Sequence, residues 1–590
     1  MNIKEMIFEL VSCGYSGEVQ EIDAEGIYVK YGGGKAVVGG NTIPAKCRAY
    51  TLFAKALSEG KEEFEITQKP SFETCGPMID MSRGGVMKVE SVKKYLRYVA
   101  AFGMNMIMLY TEDTYEVEGY PYMGYQRGRY TLEELREVDE YAASLGIEVI
   151  PCIQTLGHME QFLRHASDLR DNAKVLLVGE ERTYAFIEAC ISTMRKAFRS
   201  HRIHIGCDET VGLGTGKYLK LHGYRNAFDI FSEHVARVTE ICRKYDFHPM
   251  MWSDMYYDLT GEAKLTFDPD VEIPQYAIDG MPDADMVYWD YNHKENDFYR
   301  RNIEKHHTFN RKILFAGGIL TWDGFVPNYS FTYDTVKPAM EECLKGGVRE
   351  VIATLWSNDG CETSHMLGIP MLALFSEHCW LGLDCTQADI WEMSEFMTGM
   401  TKELAYAVSD FFFGHYDSVR AGKLILWSDP LINLLCYDYD LEEGIRYLEG
   451  GLKVFEKYNG TEYFKAVFQA ALDKCRLHKD FRNKYKAGDR EWLANFAERD
   501  IPAMIKDFEL LYQLHYESWY RDYKTQGFER LMHDYAGAIE RLRYTKKVVE
   551  QYLAGDRETI EELELELIQG TRKYYVTQKE TIYSYMIYVP

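Results

Sequence analysis

CGPMIDMSRGGVMKVESVKKYLRYVAAFGMNMIMLYT, residues 75–111, carries the reading that decides the fold. Its two ends, CGPMIDMS and MNMIMLYT, are apolar runs of strand length. Between them Val89, Val92, Leu96, Val99 and Phe102 recur at a 3.6-residue period, which predicts an amphipathic helix. Strand, helix and strand make one crossover unit, and the rhythm continues through IEVIPCIQ (147–154), RIHIGCDE (202–209), FHPMMWSD (247–254), MVYWDY (286–291), ILFAGGIL (313–320) and VREVIATLWS (348–357). Thr131 and Glu134 form a capping box ahead of Leu135, Val138, Ala142 and Leu145. Eight near-continuous apolar strands alternating with helices predict an α/β protein, a (β/α)8 TIM barrel over residues 73–384. Periodicity alone leaves an open doubly wound sheet as the alternative.

Working outward, residues 1–72 hold strand-like IYVKY, KAVVGG and EFEITQ, a helical AYTLFAKAL and a hairpin turn at YGGGK, predicting a small N-terminal α+β domain. Beyond residue 384 the strand signal fades into patterns such as LEEGIRYLEGGLKVFEKY. Residues 385–590 therefore read as a C-terminal all-α domain.

The chain of 590 residues carries a formal charge of −25, so the basic footprint of a nucleic-acid or anionic-membrane partner is missing. Aromatic residues make up 14% of it, which suits a neutral ligand such as a sugar. No uninterrupted apolar stretch reads as membrane-spanning, and MNIKEMIFELVSCGYSG lacks the three-part pattern of a signal peptide, so a cytoplasmic protein is expected. The 13 cysteines are scattered with no CxxC pair, predicting free buried thiols rather than disulfides or a zinc knuckle.

Barrel enzymes keep their chemistry at the C-terminal strand ends. Those ends carry Arg83; Glu112 and Asp113; His158; Asp208 and Glu209; Trp252 and Asp254; Trp289, Asp290 and Tyr291; Trp322 and Asp323; and Trp356, Asp359 and Glu362. Four of the chain's nine tryptophans are in this set, and tryptophan faces stack on the C–H faces of pyranose rings while acids and Arg bind hydroxyls. Asp254 has an alternative reading as a helix N-cap. His204 shares strand parity with Gly206 and Asp208 and reads as a buried hydrogen-bonding partner rather than a metal ligand. GLGTG (212–216) lacks the Lys and Ser/Thr of a phosphate loop, and no HxH or HExxH spacing occurs, so neither metal nor cofactor is predicted. Asp208 and Glu209 raise a difficulty: as neighbours on a strand they would point to opposite faces and could not flank one glycosidic bond.

HIGCDE resembles the H-x-G-x-D-E motif of glycoside hydrolase family 20, the exo-acting β-N-acetylhexosaminidases. DMSRGG (80–85), TLGHME (155–160), MWSDM (251–255), YWDY (288–291) and LWSNDG (355–360) are similar to that family in the same strand order, and the architecture resembles its bacterial branch with small N-terminal and helical C-terminal domains. The family is a substrate-assisted exception to the two-carboxylate scheme. The resemblance implies that the substrate's 2-acetamido oxygen attacks the anomeric carbon to give an oxazolinium intermediate. Glu209 would then be the general acid/base, Asp208 the residue orienting the acetamido group and Tyr291 the donor to its oxygen. Trp252, Trp322, Trp356 and Trp289 would line the pocket, with His158 and Asp254 among the substrate-binding residues. Arg83 would grip the 3- and 4-hydroxyls, and Asp359 or Glu362 the 4- and 6-hydroxyls, although the family's usual Trp-x-Glu is here Trp356-Ser-Asn-Asp359. The partner implied is a small oligosaccharide or glycoconjugate ending in β-linked N-acetylglucosamine or N-acetylgalactosamine, handled by a monomer or homodimer. A non-catalytic sugar-binding barrel, or a retaining glycosidase using Asp254 or Asp290 as nucleophile, are the alternatives.

Overall fold

A computed structural model of the protein describes residues 2–260, 266–322, 324–358, 360–413, 421–432 and 440–566. Four strands, β1 (Val19–Ile22), β2 (Ile27–Gly32), β3 (Lys35–Gly40) and β4 (Phe64–Gln68), form an N-terminal sheet in the order β1-β3-β2-β4. Gly33 and Gly34 both take positive φ, as a two-residue hairpin turn between β2 and β3 requires. The helix Ile43–Ser58 buries most of one face against this sheet and joins the domain to the next. From it Arg48, 0% exposed, makes paired bonds of 2.8 Å to both carboxylate oxygens of Glu377.

The next eight strands are β5 (Thr74–Asp80), β6 (Met106–Tyr110), β7 (Glu148–Cys152), β8 (Arg202–His204), β9 (His248–Trp252), β10 (Asp285–Asp290), β11 (Ile313–Gly318) and β12 (Glu350–Leu355). All pair in parallel, and β12 pairs with β5 from Glu350↔Thr74 to Leu355↔Ile79, so the sheet closes on itself as a barrel. Inward-facing Met78, Met106, Met108, Ile150, Met250, Leu314 and Ile352 fill it. Helices cover the outside, which is why these strands read as continuous apolar runs. The helix Leu132–Ser144 carries the expected capping box, with Glu134 N–H donating to Thr131 Oγ1 at 3.1 Å and Thr131 N–H donating to Glu134 Oε2 at 2.8 Å.

The stretch His365–Asp384 corrects one expectation, since it is long and apolar enough to cross a membrane by composition. Its apolar surface has another use: 78% of its apolar 18-residue window is buried inside the fold. The C-terminal region is helical, dominated by Glu462–Lys486, Ile501–Asp522 and Phe528–Ala554. It docks on the C-terminal face of the barrel, where Lys524 N–H donates to Val86 O at 2.8 Å and Lys88 N–H to Asp522 O at 3.0 Å.

Candidate active site

The strand β8 ends at His204, five residues before Glu209, so Asp208 and Glu209 are not strand neighbours. Gly206 (φ +71°), Cys207 (φ +69°) and Glu209 (φ +44°) take left-handed backbone conformations and break the alternation. His204, the last residue of the strand, is fully buried. Its Nδ1 lies 3.1 Å from the Gly206 N–H, its ring packs 4.4 Å from Trp252, and burial pushes its pKa down to about 3. The turned chain lets both acids reach one cation: His158 Nε2 lies 3.1 Å from Asp208 Oδ2 and 3.4 Å from Glu209 Oε2.

The two carboxylates occupy different surroundings. Asp208 is buried at 8% exposure and accepts a hydrogen bond of 2.7 Å from Gln154 Nε2. Burial works against its charge, but the His158 charge and the bonds from His158 and Gln154 outweigh it and hold the carboxyl at about 2. Burial would lower the His158 pKa, yet Asp208 raises it well above the ordinary value, so the two form a charged pair. The Glu209 side chain is 55% exposed at the mouth. Its backbone N–H donates to Asp254 Oδ2 at 3.0 Å. Asp254 is fully buried and makes no cap bond, so the N-cap alternative fails; burial and then the Asp208 charge hold its carboxyl well above the ordinary carboxylate range.

A chain of contacts leads from Asp208 to the other end of the site. Gln154 Nε2 also donates to the Tyr110 hydroxyl at 2.9 Å, and Tyr110 donates to Glu112 Oε1 at 2.9 Å. Arg83 Nη2 sits 3.2 Å from Glu112 Oε1, and Arg83 Nη1 donates to Asp80 Oδ2 at 2.9 Å. The guanidinium lies against the edge-on pair of Tyr110 and Trp356, 5.3 and 5.1 Å from their ring centroids. Burial raises Glu112 to about 7 against the pull of Arg83.

The aromatic side chains close the remaining sides. Trp252, 1% exposed, forms the floor with Trp356 6.1 Å away. Trp289 stacks on Tyr291 at 5.2 Å, and Tyr291 meets Trp322 edge-on at 5.4 Å. The Tyr291 hydroxyl faces Trp356 and Thr354, and burial raises its pKa. Gly318 makes this packing possible, because a Cβ there would lie 2.6 Å from Trp322 and 2.8 Å from Tyr291.

Arg83, His158, Asp208, Glu209, Trp252, Asp254, Trp289, Tyr291, Trp322 and Trp356 are thus gathered at one end of the barrel. Glu362 is not. It is 1% exposed, and Lys423 (2.8 Å) and Arg530 (2.6 Å) from the helical domain take its carboxylate, so no sugar hydroxyl can reach it. Asp359 and Asp323 lie outside the described residues. Asp290 is turned into its own loop, accepting from Asn292 N–H at 3.0 Å and pairing with His293 Nδ1 at 2.8 Å. Asp80, Tyr110, Glu112 and Gln154 are site residues that sequence reasoning passed over or left without a role. Their common signal is a polar side chain at the C-terminal end of an apolar strand run. His158, Asp208 and Glu209 converge but pair with one another, and among the described residues no group of three or more His, Cys, Asp or Glu is arranged to hold a metal.

Residues 72–308 match the family model described as glycosyl hydrolase family 20, catalytic domain, and residues 414–582 match the glycoside hydrolase 20C C-terminal domain. Hexosaminidase D of Homo sapiens is 28% identical over 221 residues, covering 35% of this chain and 43% of that protein. Hexosaminidase D of Bos taurus is 29% identical over 220 residues, covering 35% of this chain and 60% of that protein. The chain spans about half the length of these curated relatives. Among solved structures, the family 20 β-N-acetylhexosaminidase of Streptomyces coelicolor A3(2) is similar in fold, with a TM-score of 0.50 at 16% identity over 68% of this chain and 90% of that one.

Proposed function

Because the chain belongs to glycoside hydrolase family 20, we propose that it is a retaining exo-β-N-acetylhexosaminidase that releases terminal β-linked N-acetylglucosamine, and its galacto epimer where the 4-hydroxyl is tolerated, from oligosaccharides. The observation that carries this reading is the unequal pair at the end of β8. Asp208 is buried and held as an anion, whereas Glu209 is exposed at the mouth. A retaining glycosidase with its own nucleophile needs two carboxyl groups facing each other across the bond, roughly 5 Å apart. Here the two acids share one histidine on one side, an arrangement suited to a nucleophile that the substrate brings.

In the first step the acetamido carbonyl oxygen attacks the anomeric carbon and the glycosidic bond breaks. Glu209 gives its proton to the departing oxygen, a contribution of about 100- to 10,000-fold. The acetamido nitrogen becomes positively charged in the oxazolinium ion, and Asp208, already ionised by His158 and Gln154, accepts the N–H and stabilises that charge without reorganising. Tyr291 donates to the acetamido oxygen and fixes the direction of attack. In the second step Glu209 takes a proton from water, which opens the oxazolinium ring at the anomeric carbon and restores the configuration. Trp252, Trp322 and Trp356 enclose the acetamido group, with Trp289 behind Tyr291, and Arg83 grips the 3- and 4-hydroxyls at the far end.

A panel of aryl β-glycosides with and without the 2-acetamido group tests this reading. The acetamido gluco- and galactosides should turn over while the plain glucoside and galactoside do not. Comparable turnover of the plain glucoside would overturn it.

A further inference from the structure

The two loops that frame Arg83 are both clasped by the helical domain. After β5, Met87 forms a backbone bridge with Tyr523, and Gly527 packs so closely on Gly84 that a Cβ on Gly527 would lie 2.0 Å from the Gly84 carbonyl oxygen. After β12, Lys423 and Arg530 hold Glu362. Between these clasps runs a chain of hydrogen bonds, through side chains as far as Ser357 and through the Ser357 backbone N–H to Asp80. The Tyr523 hydroxyl, in a residue 1% exposed, lies 2.8 Å from the His365 N–H and 2.7 Å from His365 Nδ1. His365 Nε2 lies 2.7 Å from Ser357 Oγ. The Ser357 N–H donates to Asp80 Oδ2 at 3.0 Å, and its hydroxyl reaches Asp80 O at 3.4 Å. Asp80 Oδ2 is the same atom that accepts from Arg83 Nη1. His365, Ser357 and Asp80 are each no more than 1% exposed, so no water competes for these bonds.

We propose that Tyr523 of the helical domain is a positioning residue for sugar binding: through His365 and Ser357 it fixes Asp80, and Asp80 fixes the guanidinium of Arg83. The helical domain is then a working wall of the pocket rather than an appendage. This inference rests on the reading that Arg83 grips the hydroxyls of the terminal sugar. A residue that orients a ground-state grip changes KM and leaves kcat largely alone.

The test uses the full chain with an aryl N-acetylglucosaminide and the variants Tyr523→Phe, Ser357→Ala, Arg83→Ala and Tyr523→Phe combined with Arg83→Ala. Tyr523→Phe should raise KM roughly fivefold to tenfold, the size of one lost hydrogen bond, with kcat within about twofold. Arg83→Ala should raise KM further, and the double variant should match Arg83→Ala alone within about twofold, because the hydroxyl then has nothing left to position. Multiplying effects in the double variant, or a wild-type KM for Tyr523→Phe, would overturn the proposal. If Arg83→Ala itself leaves KM unchanged, the reading of Arg83 fails, and the proposal with it. Should Tyr523→Phe not fold, Ser357→Ala breaks the same chain inside the barrel and must show the same split between KM and kcat, or the proposal is wrong.

Discussion

The two ends of the pocket are built by opposite means. At the acid end, Asp208 and Glu209 are aimed by local backbone: a three-residue strand and then left-handed conformations at Gly206, Cys207 and Glu209. Every partner there, Gln154, His158 and Asp254, comes from a barrel loop. At the arginine end the backbone is ordinary at Arg83 itself, although its barrel partner Glu112 has φ +30°, and the proposed aim of the side chain comes in part from a hydrogen-bonded chain that starts in another domain. Left-handed non-glycine residues cost of order 1–3 kcal/mol each and persist only where surrounding contacts over-determine them. The acid end therefore gains precise aim at a cost in stability, while the arginine end depends on how well the domains dock.

The sharpest way to break this comparison is to remove Glu209, the proposed proton donor. Glu209→Gln should lower kcat about 1,000-fold on an aryl N-acetylglucosaminide with a poor leaving group, and far less on one whose leaving group needs no proton. Equal losses on both would show that Glu209 does not handle the proton. Asp208→Asn should cost roughly 100- to 1,000-fold on both classes, since in the proposed mechanism Asp208 acts on the nucleophile rather than the leaving group. Wild-type rates with the good leaving group would contradict that role.

A third prediction concerns pH. Folded Glu112 titrates at about 7, above its ordinary 4.5, so between those values the folded state holds a proton that the unfolded state has lost. Stability must then fall as pH rises through this window, by up to about 3 kcal/mol. Denaturant titrations from pH 4.5 to 7.5 should show a flatter slope in Glu112→Gln than in the wild type. An unchanged slope would mean that Glu112 ionises normally in the folded protein.

The smallest effects compare the two ends directly. An alanine Cβ at Gly206 would lie 2.0 Å from Gln154 Oε1 on a backbone with φ +71°, so Gly206→Ala should cost about 2 kcal/mol and displace the donor to Asp208. At Gly360 the obstacle is the guanidinium of Arg530, 2.1 Å away, the far end of a flexible side chain. Gly360→Ala should cost about 1 kcal/mol and raise KM rather than lower kcat. Chemical denaturation and steady-state kinetics of both variants check the contrast.

The barrel was legible because strands buried on both faces leave runs such as MNMIMLYT that no loop would carry, and the helices between them keep a 3.6-residue period. The short β1 and the helix Ile3–Leu10 left no comparable mark. The identity of the acid pair was legible, but its geometry was not. Alternation continued from Arg202 predicts opposite faces for Asp208 and Glu209, and left-handed Cys207 and Glu209 look like any other residues in a sequence. Glu362 was misplaced for a different reason: nearness to Trp356 in sequence suggested the pocket, while Lys423 and Arg530, which claim its carboxylate, lie far along the chain. Local aim at the acid end hid in the backbone, and long-range aim at the arginine end hid in the docking of a separate domain.

In the proposed mechanism the nucleophile belongs to the substrate. Successive fluorination of the N-acetyl methyl group weakens that nucleophile and leaves the size of the substrate almost unchanged. We predict that log(kcat/KM) falls steeply along the series from acetyl to trifluoroacetyl aryl glucosaminides. A flat series would contradict the account, because an enzyme carboxylate would then be making the bond.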